Sequence, residues 1–153
     1  MTIIEEKTQQ LYDEILVLGS MVEQAIINSV ESLKNKDLET AQKIYDGDQE
    51  INKKRYEIEE KAVTVLATQQ PMAKDMRALA SILDVAGELE RIGDYAKGIA
   101  NITIKLEGEP FIKPLIDVPK MAELTSDMLH RALGAFVKSD KKLAFSIPKD
   151  DDK

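Results

Sequence analysis

The chain has 153 residues, no cysteine, no tryptophan, one histidine and a formal net charge of −7. That length fits one ordinary domain, and the absence of cysteine excludes a disulfide framework, thiolate zinc sites, iron–sulfur clusters and thiol catalysis. A single histidine leaves no histidine-rich metal centre, and an acidic chain with 5% aromatics is poorly suited to nucleic acid.

The opening Met1-Thr2-Ile3-Ile4-Glu5-Glu6-Lys7 has no basic start followed by an apolar block, so no signal peptide is expected. No stretch approaches the ~20 apolar residues that cross a bilayer. The expected compartment is the cytoplasm.

The first helix is expected from about Thr2 to Asn35, on the stripe Leu11, Ile15, Leu18, Val22, Ala25 and Ser29. Its alternating spacing of four and three is the period of helices in a bundle. Asp37 is a candidate N-cap for a second helix, with Thr40 where a full capping box would need Glu or Gln. That helix carries Ala41, Ile44, Asp48, Ile51, Arg55, Ile58, Ala62 and Val65 on one stripe. Asp48 and Arg55 interrupt it. They are expected at the rim of the core or paired with charges on neighbouring helices, with a functional polar pocket as the alternative. Pro71 suits a first helical turn, so a third helix is expected from about Pro71 to Leu106, with the stripe Leu79, Ile82, Ala86, Leu89, Gly93, Ala96 and Ala100. Its small residues would let another helix come close. At about 1.5 Å per residue each of these helices is roughly 45–50 Å long. Short loops between them predict an antiparallel up-down-up bundle over residues 1–107.

Gly108, Pro110, Pro114 and Pro119 mark a linker over residues 108–119. A helical pattern resumes from Lys120 to Val137 with Met121, Leu124, Met128, Ala132 and Ala135. Ser139-Asp140 opens a short segment that Pro148 interrupts, and the terminal Lys149-Asp150-Asp151-Asp152-Lys153 reads as a charged run with no packed end. The order of helix, charged turn and helix echoes the first bundle. Lys36-Asp37-Leu38 aligns with Ser139-Asp140-Lys141, which makes residues 120–153 a partial second repeat.

The third helix holds the most informative pattern. Glu90 and Asp94 share a face, and two like charges at that spacing cost a few tenths of a kcal/mol. Gly87 and Gly98 lie on nearby turns of the same face, each costing about 1 kcal/mol inside a helix. A bound cation would account for both features, because carboxylates attract hard metals and need room for several ligands. The competing reading is a solvated face balanced by Arg91, Lys97 and either Lys54 or Lys61.

The run Ala67 to Ala100 resembles the PhoU family of phosphate-transport regulatory proteins. The resemblance rests on Gln70-Pro71, on Asp75-Met76-Arg77, and above all on Glu88-Leu89-Glu90-Arg91-Ile92-Gly93-Asp94. Residues 18–33 and 46–52 are also similar to that family. The resemblance implies an all-α fold of two three-helix repeats packed side by side, of which the second is here incomplete and would have to continue beyond Lys153. It implies metal clusters, iron among them, held by paired carboxylates, here Glu90 and Asp94, with Asp48, Asp84 and Glu88 as further candidate ligands. It also implies an adaptor rather than an enzyme. Such an adaptor works with the ATPase of a phosphate ABC transporter and a phosphate sensor kinase, and represses the phosphate-starvation response. A homodimer is expected, with no nucleic acid and with membrane contact only through partners.

Two alternatives come from other classes. One is a metal-free helical interaction module. The other is a ferritin-like di-metal carboxylate enzyme, which needs Glu-x-x-His on two helices. Asp127-Met128-Leu129-His130 offers one Asp-x-x-His, and no second histidine exists. A phosphate site has no glycine-rich loop at a helix start to support it.

Overall fold

Caps and turns fix where the helices begin and end. In the computed structural model, which describes residues 1–153, helix α1 spans Ile3–Asn35, α2 spans Leu38–Thr68 and α3 spans Ala73–Leu106. Thr2 is the N-cap of α1: its hydroxyl accepts from the Glu5 N–H at 3.2 Å, and its own N–H donates to the Glu5 carboxylate at 3.0 Å. Asp37 caps α2 as expected, accepting from the Thr40 N–H at 3.1 Å. The third helix starts two residues later than the proline suggested. Gln70 takes a left-handed φ of 46°, Pro71 lies in the turn, and Met72 is the N-cap, its N–H donating to Asp75 at 3.1 Å. A side-chain cap therefore sets this boundary, not the proline.

The three helices form the expected antiparallel bundle. Leu11, Ile15, Leu18 and Val22 from α1, Ile51, Ile58, Ala62 and Val65 from α2, and Leu79, Ile82, Ala86 and Leu89 from α3 make one buried core. Asp48 is as buried as its apolar neighbours, whereas Arg55 is only half-buried.

Helix α4 covers Asp117–Lys138, three residues earlier than expected. Pro119 falls within its first turn, where a missing N–H costs nothing. A six-residue α5, Lys141–Ser146, and a 3-10 helix, Ile147–Asp152, follow. The acidic end is packed after all: Ile147 is buried, and Asp150 pairs with Arg131 and, at 3.1 Å, with Lys153. The internal echo is structural too. Lys36 and Ser139 both close a helix at φ 55°, and the following Asp37 and Asp140 N–H groups each reach back at 2.8 Å, to Ser32 and Ala135. Asp140 then caps α5 by accepting from Leu143 N–H at 3.0 Å, as Asp37 does for α2.

Of the first three helices, α4 packs along α1 alone. Gly19 favours this packing, since a Cβ there would run into the Leu133 side chain. The buried face of α4 is Ala122, Leu133 and Ala135. Only Ala135 of the expected stripe is buried, and Met121 stays 63% exposed. The apolar arc of α4 is wider than one neighbour can cover. Its uncovered part lines a groove of about 300 Å³ with Ile26 and Val30 of α1 and Ile92, Tyr95 and Ile99 of α3.

Candidate metal centre

Gly93 brings α2 and α3 together. A Cβ there would sit 3.2 Å from Ile51 Cγ2 and 3.6 Å from Asp48 Oδ1, so even alanine would make Ile51 give way by a few tenths of an ångström, and a larger side chain would push the helices apart. Polar groups crowd that close approach. Asp48 is 3% exposed, and its Oδ1 has no hydrogen-bond partner. Its Oδ2 lies 3.9 Å from Lys97 Nζ, which also sits 4.7 Å above the Tyr45 ring. One turn further along α2, the Asn52 Oδ1 is likewise buried and unpartnered. A carboxylate with an unpaired buried oxygen is expensive to keep ionised. Burial accordingly pushes the Asp48 carboxyl above its ordinary value. The neighbouring Asp94 pushes the same way and Lys97 opposes it.

Further along the seam Arg55 pairs with Glu90 across the helices and with Glu59 at 2.9 Å on its own helix. The hydrogen bond that Arg55 donates to Glu90 does most to raise the Arg55 pKa. Gly87 leaves space beside this guanidinium, its Cβ position being 3.8 Å from an Arg55 nitrogen. Gly98 faces open space, so the glycine that sets the geometry is Gly93. Asp48, Glu59, Glu90 and Asp94 thus meet only two cations, Arg55 and Lys97, and the seam keeps surplus negative charge.

The expected balancing residues divide differently. Lys54 and Lys61 turn to α1, where both donate to Glu14, Lys54 at 3.2 Å. Burial alone would raise the Glu14 carboxyl, but these two hydrogen bonds outweigh it and hold the group below its ordinary value. Arg91 reaches only Glu88, at 4.0 Å.

Of the candidate ligands, the structure brings Asp48, Glu90 and Asp94 to one seam. Asp84 and Glu88 are exposed, and at six and two residues from Glu90 they lie about 120° and 160° around the helix from it. Asn52 was not anticipated. Its signal is its place four residues after Asp48, which mirrors Glu90-x-x-x-Asp94 on the facing helix. The donor chemistry suits an oxygen-liganded cation: the orphaned buried Asp48 Oδ1 belongs to a carboxylate beside Asp94, a second orphaned oxygen, Asn52 Oδ1, lies one turn along α2, and Glu90 is held by Arg55. No three carboxylate or histidine groups converge tightly enough to hold an ion in this conformation. His130 lies on α4 with Nδ1 3.2 Å from Glu23, and Asp127 pairs with Arg131, so the Asp-x-x-His of a di-metal enzyme does not reach this seam.

Fold and seam together define an all-α bundle protein whose second and third helices share an acid-rich interface. Residues 6–103 match the PhoU domain, and the chain belongs to the PhoU family. It is 29% identical over 147 residues to the phosphate-specific transport system accessory protein PhoU homolog of Aquifex aeolicus, a match covering 96% of this chain and 66% of that protein. It is 30% identical over 145 residues to the phosphate-specific transport system accessory protein PhoU of Escherichia coli, covering 95% and 60%. The crystal structure of PhoU from Pseudomonas aeruginosa superposes with a TM-score of 0.87 at 31% identity, over 93% of this chain and 68% of that one. The phosphate transport system regulatory protein PhoU from Streptococcus pneumoniae does so at 0.89 and 29%, over 97% and 70%. The chain therefore spans about 60 to 66% of the length of the two accessory proteins. No helix is long and apolar enough to cross a membrane.

Proposed function

We propose that the chain acts as a regulatory adaptor of phosphate transport, restraining phosphate uptake and the phosphate-starvation response. Family membership and the names of its relatives support this reading. Its partners in the proposal are the ATPase of a phosphate ABC transporter and a phosphate sensor kinase. It meets them as a homodimer at the cytoplasmic face of the membrane, without catalysing a reaction of its own.

The metal half of the proposal rests on one observation, the buried and unpartnered Asp48 Oδ1 facing the Asp94 side of α3. Asp48, Asp94 and Glu90 would hold a divalent cation or iron, with Asn52 adding a neutral oxygen. A bound cation neutralises the surplus charge of the seam. The chain's own part is to fasten α2 to α3 through Gly93 and to present the outer, exposed side of Asp94.

A pull-down with the full chain against the transporter ATPase and the cytoplasmic part of the sensor kinase tests the adaptor reading. Capture of at least one partner is expected, and failure with both would overturn it. Capture weakened by chelator is expected if the metal shapes the contact face. Unchanged capture in chelator would separate partner binding from the seam.

A further inference from the structure

A second charged site lies apart from the α2–α3 seam, where the start of α3 meets the α4–α5 turn. It is an open cleft of about 600 Å³, walled by Arg77 and Ser81 of α3, Tyr12 of α1, Phe136 of α4, Ser139 of the turn and Lys141 of α5. Arg77 is the arginine without a carboxylate: Arg55, Arg91 and Arg131 each have one within 4.0 Å, and Arg77 has none. Lys141 also lines the cleft, and Lys138 and Lys142 are its near neighbours in sequence; none of the three is ion-paired to the protein. The acid among them, Asp140, spends one oxygen on capping the Leu143 N–H at 3.0 Å. Two cations, Arg77 and Lys141, thus line the cleft against one carboxylate, Asp140, in a chain whose net charge is −7. The cleft is locally positive in an otherwise acidic molecule, and such inversions concentrate anions.

The lining suits an anion larger than a single ion. Arg77 and Lys141 approach from different helices, so orthophosphate would engage one wall while a chain of phosphates could engage both. Tyr12 and Phe136 meet edge-on, centroids 5.4 Å apart, and give one wall an apolar surface beside the cations. The volume falls within the roughly 300–1,000 Å³ of small-molecule sites. Arginine's planar fork binds phosphate oxygens in pairs, whereas lysine supplies a point charge.

We propose that this cleft binds a phosphate-chain anion of the di- or triphosphate class, with Arg77 holding one phosphate and Lys141 another. The site does not depend on the metal reading of the seam, and its ligand could be an inorganic polyphosphate or a nucleoside triphosphate.

Isothermal titration of the full chain in EDTA, which removes any metal from the seam, tests it. Tripolyphosphate is expected to bind at least about tenfold more tightly than orthophosphate, with affinity falling as salt rises. Arg77→Ala and Lys141→Ala should each weaken binding about tenfold, the size of one charge-assisted contact. Both side chains are exposed, so the variants keep the fold. Arg77→Lys should fall between, and Lys53→Ala on α2 should leave binding unchanged. ATP binding more tightly than tripolyphosphate would assign the aromatic wall to a base, and equal binding would assign the site to the phosphates alone. Three results would overturn the proposal: no binding of tripolyphosphate or ATP at millimolar concentration, binding that survives Arg77→Ala/Lys141→Ala, or equal affinity for pentaglutamate.

Discussion

Helix α2 shares a charged seam with each of its neighbours, and the two seams are opposites. Toward α1, one carboxylate, Glu14, is clasped by two lysines. Toward α3, four carboxylates share Arg55 and Lys97, and Asp48 keeps a buried oxygen with no partner. The first arrangement is what stability alone would select, since every buried charge has a counter-charge. The second costs stability, and the cost falls where α2 and α3 come closest. That asymmetry within one helix is the physical reason to place function on the α3 side.

The largest break in the comparison should come from its hinge point. Gly93→Leu would drive a side chain into Ile51 and Asp48 and separate the helices, with a loss of about 3 kcal/mol in urea unfolding. The charged seams come next. Arg55→Ala leaves Glu90 and Glu59 without their cation and should cost about 2 kcal/mol in chelator. It also frees Glu90 for a metal, so a divalent cation should raise its melting temperature more than it raises that of the wild type. A smaller rise than wild type would mean that Glu90 is no ligand.

Glu14→Ala should cost about 1–2 kcal/mol, because the largely buried Lys54 keeps only the looser contact to Glu57 at 4.0 Å. The pH dependence follows from the lowered Glu14 pKa. Its stabilisation is present above the ordinary value of 4.5 and is lost as pH falls through the lower folded value. Asp48 behaves in the opposite sense. Its folded pKa is raised, so the stabilisation it gives is present below its ordinary value of 3.8 and lost as pH rises through the folded value. Asp48→Asn should therefore stabilise the metal-free protein at neutral pH, by on the order of 1 kcal/mol. It should flatten the loss of stability that wild type shows on going from acid to neutral pH at this seam. Destabilisation by Asp48→Asn in chelator would contradict the charge surplus.

Much of this was readable from residue order. The core stripes of α1 and α3 follow the helical period, and nearly every position on them is buried. The repeated turn was visible as Lys36-Asp37 and Ser139-Asp140. Glu90, Asp94 and Asp48 were identifiable, and the structure gathers them at one seam. The assignment of partners was not readable. Lys54 and Arg55 are adjacent in sequence, but about 100° of helical rotation sends one to α1 and the other to α3. Which of them answers Glu90 depends on how α2 is turned between its neighbours. The α4 face was misjudged for a related reason. Periodicity finds an apolar arc, but the part that is buried depends on how many helices cover it, and here α1 alone does. The start of α3 followed a side-chain cap rather than the more conspicuous proline.

Elemental analysis of protein purified without chelator, wild type beside Glu90→Ala/Asp94→Ala, bears most directly on the central claim. Bound iron or another divalent metal in the wild type, reduced in the variant, is the predicted result. Equal metal in the two proteins, or none in either, would contradict a cation site at the α2–α3 seam.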